Sequence, residues 1–247
     1  MAIGNNPSVK DDVDKTISVF FGKDGYYFII KNAGTHELMT RENVILDSNL
    51  PLHRAFEKTL IQHEELYGHF SEIKIVLDTD KFTFVPVEFF SSAFATSYYK
   101  FNLGEPDADA GVFYYTPDDE LYVIFAYNKQ MINTLENIFT NAVILPDIAY
   151  FLEDILENQQ HNNAVYANLT ANTITIAVFR SKKLMMANKY HFVTHKDAEY
   201  YILKAYYNYD LDNEYVPLFL KSDIQLPDIE TLISNIVLNH EDNQRIL

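Results

Sequence analysis

One order of elements, three strands followed by a helix and a further strand, can be read twice along this chain of 247 residues. In the first copy, residues 16–21 form a strand. Phe21-Gly22-Lys23-Asp24-Gly25 supply turn chemistry, because Asp-Gly tolerates the positive φ of a tight hairpin. Residues 25–31 return as a second strand, and residues 37–46 contain a third. Pro51 opens a helix whose inner face is Leu52, Phe56, Leu60 and Tyr67, with Gly68 placed to stop it. Residues 73–77 complete the copy. The second copy reads as strands at 164–169, 173–179 and 184–192. Thr194 and Asp197 form a capping pair for a helix carrying Ala198, Tyr201, Ile202 and Ala205, and a strand follows at 215–220. The duplication is of element order and not of residues.

Between the copies lie an extended piece at 82–85 and a helix over 87–98. A loop at 102–111 and strands at 112–115 and 121–127 follow. A helix starting at Asn128 carries the stripe Met131, Ile132, Leu135, Ile138 and Phe139. A short strand at 142–145 leads to a helix capped by Asp147, whose buried face is Ile148, Phe151, Leu152, Ile155 and Leu156. Pro227 opens a last helix with Ile229, Leu232, Ile233, Ile236 and Val237 inside. Residues 1–13 read as a disordered polar tail, 14–158 as one lobe with an insertion, and 159–247 as a second lobe.

Charge narrows the partners. Thirty-five acidic against 19 basic side chains give a formal charge of −16. Binding to phosphate backbones works by replacing counterions with Lys and Arg. The densest basic cluster, Arg180, Lys182 and Lys183, falls on one predicted turn and reads as a solvated hairpin tip. DNA, RNA and anionic membranes are therefore poor partners, and protein is the expected one. With no cysteine, thiolate nucleophiles and thiolate zinc sites are excluded. No uncharged apolar run approaches the roughly 18 residues of a membrane span, and no secretory signal opens the chain. A soluble, cytoplasmic protein is the expectation. The 18 Phe and 18 Tyr, with no Trp, point to strand packing first and to binding surfaces second.

The duplicated meander resembles the paired ribonuclease-H-like lobes of the actin-like ATPase fold, an α/β architecture of mixed sheets flanked by helices. Residues 120–190 look most like the bacterial branch with the pilus-assembly actin-like protein, the type II secretion cytoplasmic domain and the cell-division actin. The chain is also similar to an uncharacterised bacterial family of that fold with a strand-end motif like Phe82-Thr83-Phe84-Val85-Pro86. The likeness extends over about residues 14–240. It implies an Asp-x-Gly motif on the first hairpin of each lobe, the Gly admitting phosphates and the Asp orienting metal and water. The matching positions are Phe20-Phe21-Gly22 and Asn168-Leu169-Thr170, which leaves Gly22, Asn168 and Thr170 as degenerate phosphate-loop positions. Both acids are gone. The fold's late glycine pair is missing too, since none of the seven glycines follows Gly111. The resemblance thus implies a non-catalytic scaffold or protein-interaction module, with no cofactor and no catalytic or metal residue.

Two other readings stay open. A divergent nucleotide-binding ATPase or phosphotransferase would rely on Asp78, Asp80 and Thr170, and a sensor would bind a small molecule or peptide in a cleft between lobes. Asp78-Thr79-Asp80-Lys81 otherwise reads as a turn. His191, His195 and Glu199 have helical ligand spacing, but a helix starting at Thr194 leaves His191 on a strand. His63 lacks a second ligand four residues on, where Tyr67 stands.

Overall fold

In the computed structural model, residues 14–222 are described. They fall into two compact units that divide between Asp147 and Ile148. The polar tail and the helix expected after Pro227 lie outside the described residues.

In the first unit, β1 (Lys15–Phe21), β2 (Gly25–Asn32) and β3 (Leu38–Ile45) form an antiparallel meander. Helix α1 (Leu52–Leu60) follows, and β4 (Glu72–Leu77) then runs parallel to β1. With β8 (Val143–Pro146) the sheet order is β3-β2-β1-β4-β8. Alternation decides the faces. Ile17, Val19 and Phe21 of β1 and Tyr26, Phe28 and Ile30 of β2 point into one core, which holds Ala55, Phe56 and Leu60 of α1. Met131, Ile132 and Leu135 of α3 (Lys129–Ile138) join the same core. Gly25 is required here, because a Cβ on it would lie 2.2 Å from the Val44 carbonyl oxygen of β3.

A second sheet of the same unit, β5 (Phe82–Pro86), β7 (Leu121–Asn128) and β6 (Ala110–Tyr115), is antiparallel in the order β5-β7-β6. Phe113 and Phe125 turn to the main core, whereas Val85 and Ile124 pack with Tyr99 of α2 (Ala95–Leu103).

The second unit repeats the plan. Strands β9 (Ala164–Leu169), β10 (Thr173–Arg180) and β11 (Lys183–His191) form the meander, α5 (His195–Asn208) follows, and β12 (Leu218–Ser222) runs parallel to β9. The order β11-β10-β9-β12 matches β3-β2-β1-β4 position for position. Val165, Ala167, Leu169, Ile174, Ile176 and Val178 face Ala198, Ile202 and Ala205 of α5. Ser181 and Lys182 hold positive φ at the β10–β11 turn, so the basic cluster is a hairpin tip. The Asp197 carboxylate accepts the N–H groups of Thr194 (2.8 Å) and Val193 (3.1 Å), as a capping residue should.

Three elements depart from expectation. The first helix stops at Leu60, and the chain turns through a short 3-10 helix, Glu64–Tyr67. There Leu66 is buried and Tyr67 lies in solvent, because the turn beside His63, held by Glu42 (3.1 Å), shifts the inward position by one residue. The helix expected over 87–98 lies at Ala95–Leu103, after two short 3-10 turns. Phe90 needs extended backbone to lay its ring 3.7 Å from that of Tyr122, and Gly104, at φ 83°, ends the helix. The last strand begins at Leu218 and not at 215, leaving Tyr215 exposed.

Candidate functional site: the paired hairpins and the strand ends

Gly22 and Thr170 occupy equivalent positions in the two units. Each is the first residue after a meander's opening strand, and each donates its N–H to the carbonyl three residues on: Gly22 to Gly25 at 2.8 Å, Thr170 to Thr173 at 2.9 Å. The Thr170 hydroxyl lies 2.7 Å from that of Thr173 and also accepts the Thr173 N–H at 3.1 Å. Both amides are therefore used inside their turns. A Cβ at Gly22 would find only the Gly25 carbonyl oxygen, at 3.8 Å, so nothing crowds that position into being glycine.

Phe20 and Asn168 also correspond, each pointing away from its unit's helix-covered core. Phe20 stacks on Tyr27 with ring centroids 4.5 Å apart, and Arg41 lies over the far ring at 5.3 Å. Asn168 pairs in register with Thr175 and Lys221, and its Oδ1 is enclosed without a hydrogen-bond partner among the described residues. Where the resemblance implies a carboxylate, one unit has an aromatic stack and the other an amide. Gly22 belongs to the first unit and Asn168 and Thr170 to the second.

Asp78, Asp80 and Asp147 stand just past the carboxyl ends of the parallel strands β4 and β8. The Asp78 N–H donates to the Phe21 carbonyl at 2.9 Å, which extends the β1–β4 ladder by one bond, and Asp78-Thr79-Asp80-Lys81 then connect β4 to β5 with a bend at Asp80. Thr79, nearly solvent-free, donates its N–H and its hydroxyl to Oδ1 of Asp147, both at 3.2 Å. Asp147 directly follows β8 and is the first residue of α4 (Asp147–Asn158). Burial, then the negative charges of Asp78 and Asp147, hold the Tyr127 phenol well above its ordinary pKa. This group joins residues up to 69 positions apart, and only the Asp78–Asp80 spacing marked it in the sequence. His191 ends β11 while His195 begins α5, so no helical ligand series exists there. No cluster of three or more metal-ligating side chains occurs among the described residues.

In the second unit a shallow hollow lies where α4 crosses β9 and β12. Tyr166 and Phe219 stack in it with centroids 4.9 Å apart, and Phe151, Ile155, Asp154 and Lys221 complete it. Burial raises the Tyr166 pKa. The enclosed part holds little more than a water molecule, too little for a ligand of ordinary size. Among the described residues no helix is long and apolar enough to cross a membrane.

Comparison with known proteins settles the architecture. A Bacteroides thetaiotaomicron protein with actin-like ATPase fold and unknown function superposes with a TM-score of 0.76 at 20% identity, over 94% of this chain and 90% of that one. The cytoplasmic domain of EpsL, an inner membrane component of the Vibrio cholerae type II secretion system, gives 0.51 at 12% identity over 95% and 88%. A chain of a PilM–PilN type IV pilus biogenesis complex gives 0.44 at 10% identity, over 80% and 66%. No curated protein matches the sequence. The chain has the actin-like ATPase fold, and because residues 5–233 match its family, it belongs to DUF3822, a protein family of unknown function.

Proposed function

We propose that this chain is a non-catalytic scaffold or protein-interaction module that keeps the actin-like architecture without its chemistry. The observation that carries this reading is the state of the paired hairpins. Both turn amides are bonded internally, and the acid positions hold Phe20 and Asn168. A triphosphate needs free backbone amides and a carboxylate to orient its metal. The formal charge of −16 adds repulsion against a polyanion, and it leaves protein as the partner class.

A second reading, a divergent ATPase or phosphotransferase, draws on the acids at the strand ends. Asp78 and Asp147 flank Tyr127 at the carboxyl ends of parallel strands, where α/β folds often place ligands. One calorimetric experiment separates the two. Titration with ATP and magnesium should give no heat, and millimolar nucleotide should leave the melting temperature unchanged. A ligand at a hundred times its dissociation constant would add about 2.7 kcal/mol, which a melt would register. Hydrolysis that Asp78→Asn abolishes in a folded protein would establish the second reading instead.

A further inference from the structure

Helix α2 and the 3-10 turns that precede it carry exposed aromatic rings outside the small core that Tyr99 forms with β5 and β7. Phe94 is the N-cap of α2 and Phe101 lies seven residues on, so both project from one side of the helix, with Tyr98 between them. Phe94 is 57% exposed and Phe101 89%. The Tyr98 hydroxyl donates to the Phe89 carbonyl, bringing alongside a third ring that is 67% exposed. At the usual area of an aromatic side chain, three such rings present on the order of 400 Å² of apolar surface, the size at which a patch marks a contact site.

Charge selects the occupant. The segment from Phe82 to Glu120 carries seven acids, Glu88, Glu105, Asp107, Asp109, Asp118, Asp119 and Glu120, against one cation, Lys100, which Glu105 neutralises at 2.8 Å. The Val87 N–H donates to the Glu120 carbonyl, placing Glu120 beside Glu88 at the Phe89 end. Glu105 and Asp107 follow the Phe101 end. An aromatic face with acids at both ends repels an anionic membrane, and a second copy would set like charges against each other. We propose that this face docks a basic amphipathic segment of a partner protein, with apolar side chains set on Phe94 and Phe101 and flanking Lys or Arg meeting the carboxylates.

This rests on the interaction reading above but fails separately from it, since heat from ATP and magnesium would sink that reading alone. The probe is a fluorescein-labelled 18-residue peptide of Leu and Lys at helical spacing, with a Leu/Glu peptide of the same pattern as control. Anisotropy should show the Lys peptide binding and the Glu peptide not. Raising salt from 0.05 to about 0.5 M should weaken binding several-fold. Phe94→Ser with Phe101→Ser should weaken it at least tenfold while leaving the melt unchanged. If that pair unfolds the chain, Glu88→Lys with Glu120→Lys replaces it and should produce a similar loss. Equal affinity for the wild type and for whichever folded pair is used would overturn the proposal. So would binding to phosphatidylglycerol vesicles through these rings, or a dimer that Phe94→Ser and Phe101→Ser dissociate.

Discussion

The two units follow one strand order with different chemistry beneath it. In the first, the meander rests on rings: Phe21, Tyr26 and Phe56 lie mutually within 5.1–5.2 Å, and Phe139 meets Phe56 at 6.4 Å. In the second, the equivalent surface is Val165, Ala167 and Leu169 against Ala198, Ile202 and Ala205 of α5. Their hairpins close alike, by an amide-to-carbonyl bond across three residues, although one opens on Gly22 and the other on Thr170. Strand order therefore survives wholesale replacement of side chains, provided each face stays apolar where a helix covers it. A phosphate site depends on particular atoms and has no such latitude.

The sharpest way to break this comparison is Phe56→Ala, which empties the centre of the ring cluster. It should cost about 3–5 kcal/mol, read from the urea midpoint. Ile202→Val, in the aliphatic contact between α5 and β9, should cost only about 0.5–1.5 kcal/mol, and equal losses would deny the contrast. Next comes Gly25→Ala. Its Cβ would meet the Val44 carbonyl at 2.2 Å, and displacing β3 should cost about 1–3 kcal/mol.

Tyr206 tests the second unit's own device. Its hydroxyl donates to the Val216 carbonyl at 2.9 Å and pins the chain before β12, and burial raises its pKa. Tyr206→Phe should cost about 1 kcal/mol at neutral pH. The pH dependence has a definite sign. The folded pKa lies above the unfolded value of about 10, so the stabilisation is complete below pH 10 and falls as pH rises beyond it. Melts above pH 10 should decline more steeply for the wild type than for Tyr206→Phe. Smallest of all is Gly22→Ala, expected within about 0.5 kcal/mol because the added methyl meets only the Gly25 carbonyl oxygen, at an ordinary contact distance.

What the sequence showed and what it hid follow from the range of the forces involved. Strand order, the α3 stripe and the Asp197 cap were legible because they depend on neighbours within one turn or one alternation. The displacement of α2 was not, since it follows from Phe90 reaching Tyr122, 32 residues away. Gly104 was read only as part of a loop at 102–111, which hid the last turn of the helix that it ends. At the hairpins the sequence offered Gly22, Asn168 and Thr170 only as the positions where the resemblance implies a phosphate loop. It could not show that the turn amides are spent internally, because that is a matter of bond geometry. Thr79, Asp147 and Tyr127 form one group only after β4, β7 and β8 have assembled, and spacing carries no sign of it.

The most direct measurement is an amide-resolved NMR titration of the full chain with ATP and magnesium to millimolar concentration. Resonances of Gly22 and Thr170 should not move, because both N–H groups already have partners within their own turns. Saturable shifts at both, spreading to Phe20 and Asn168, would mean that the hairpins open to hold phosphate, and the account would be wrong.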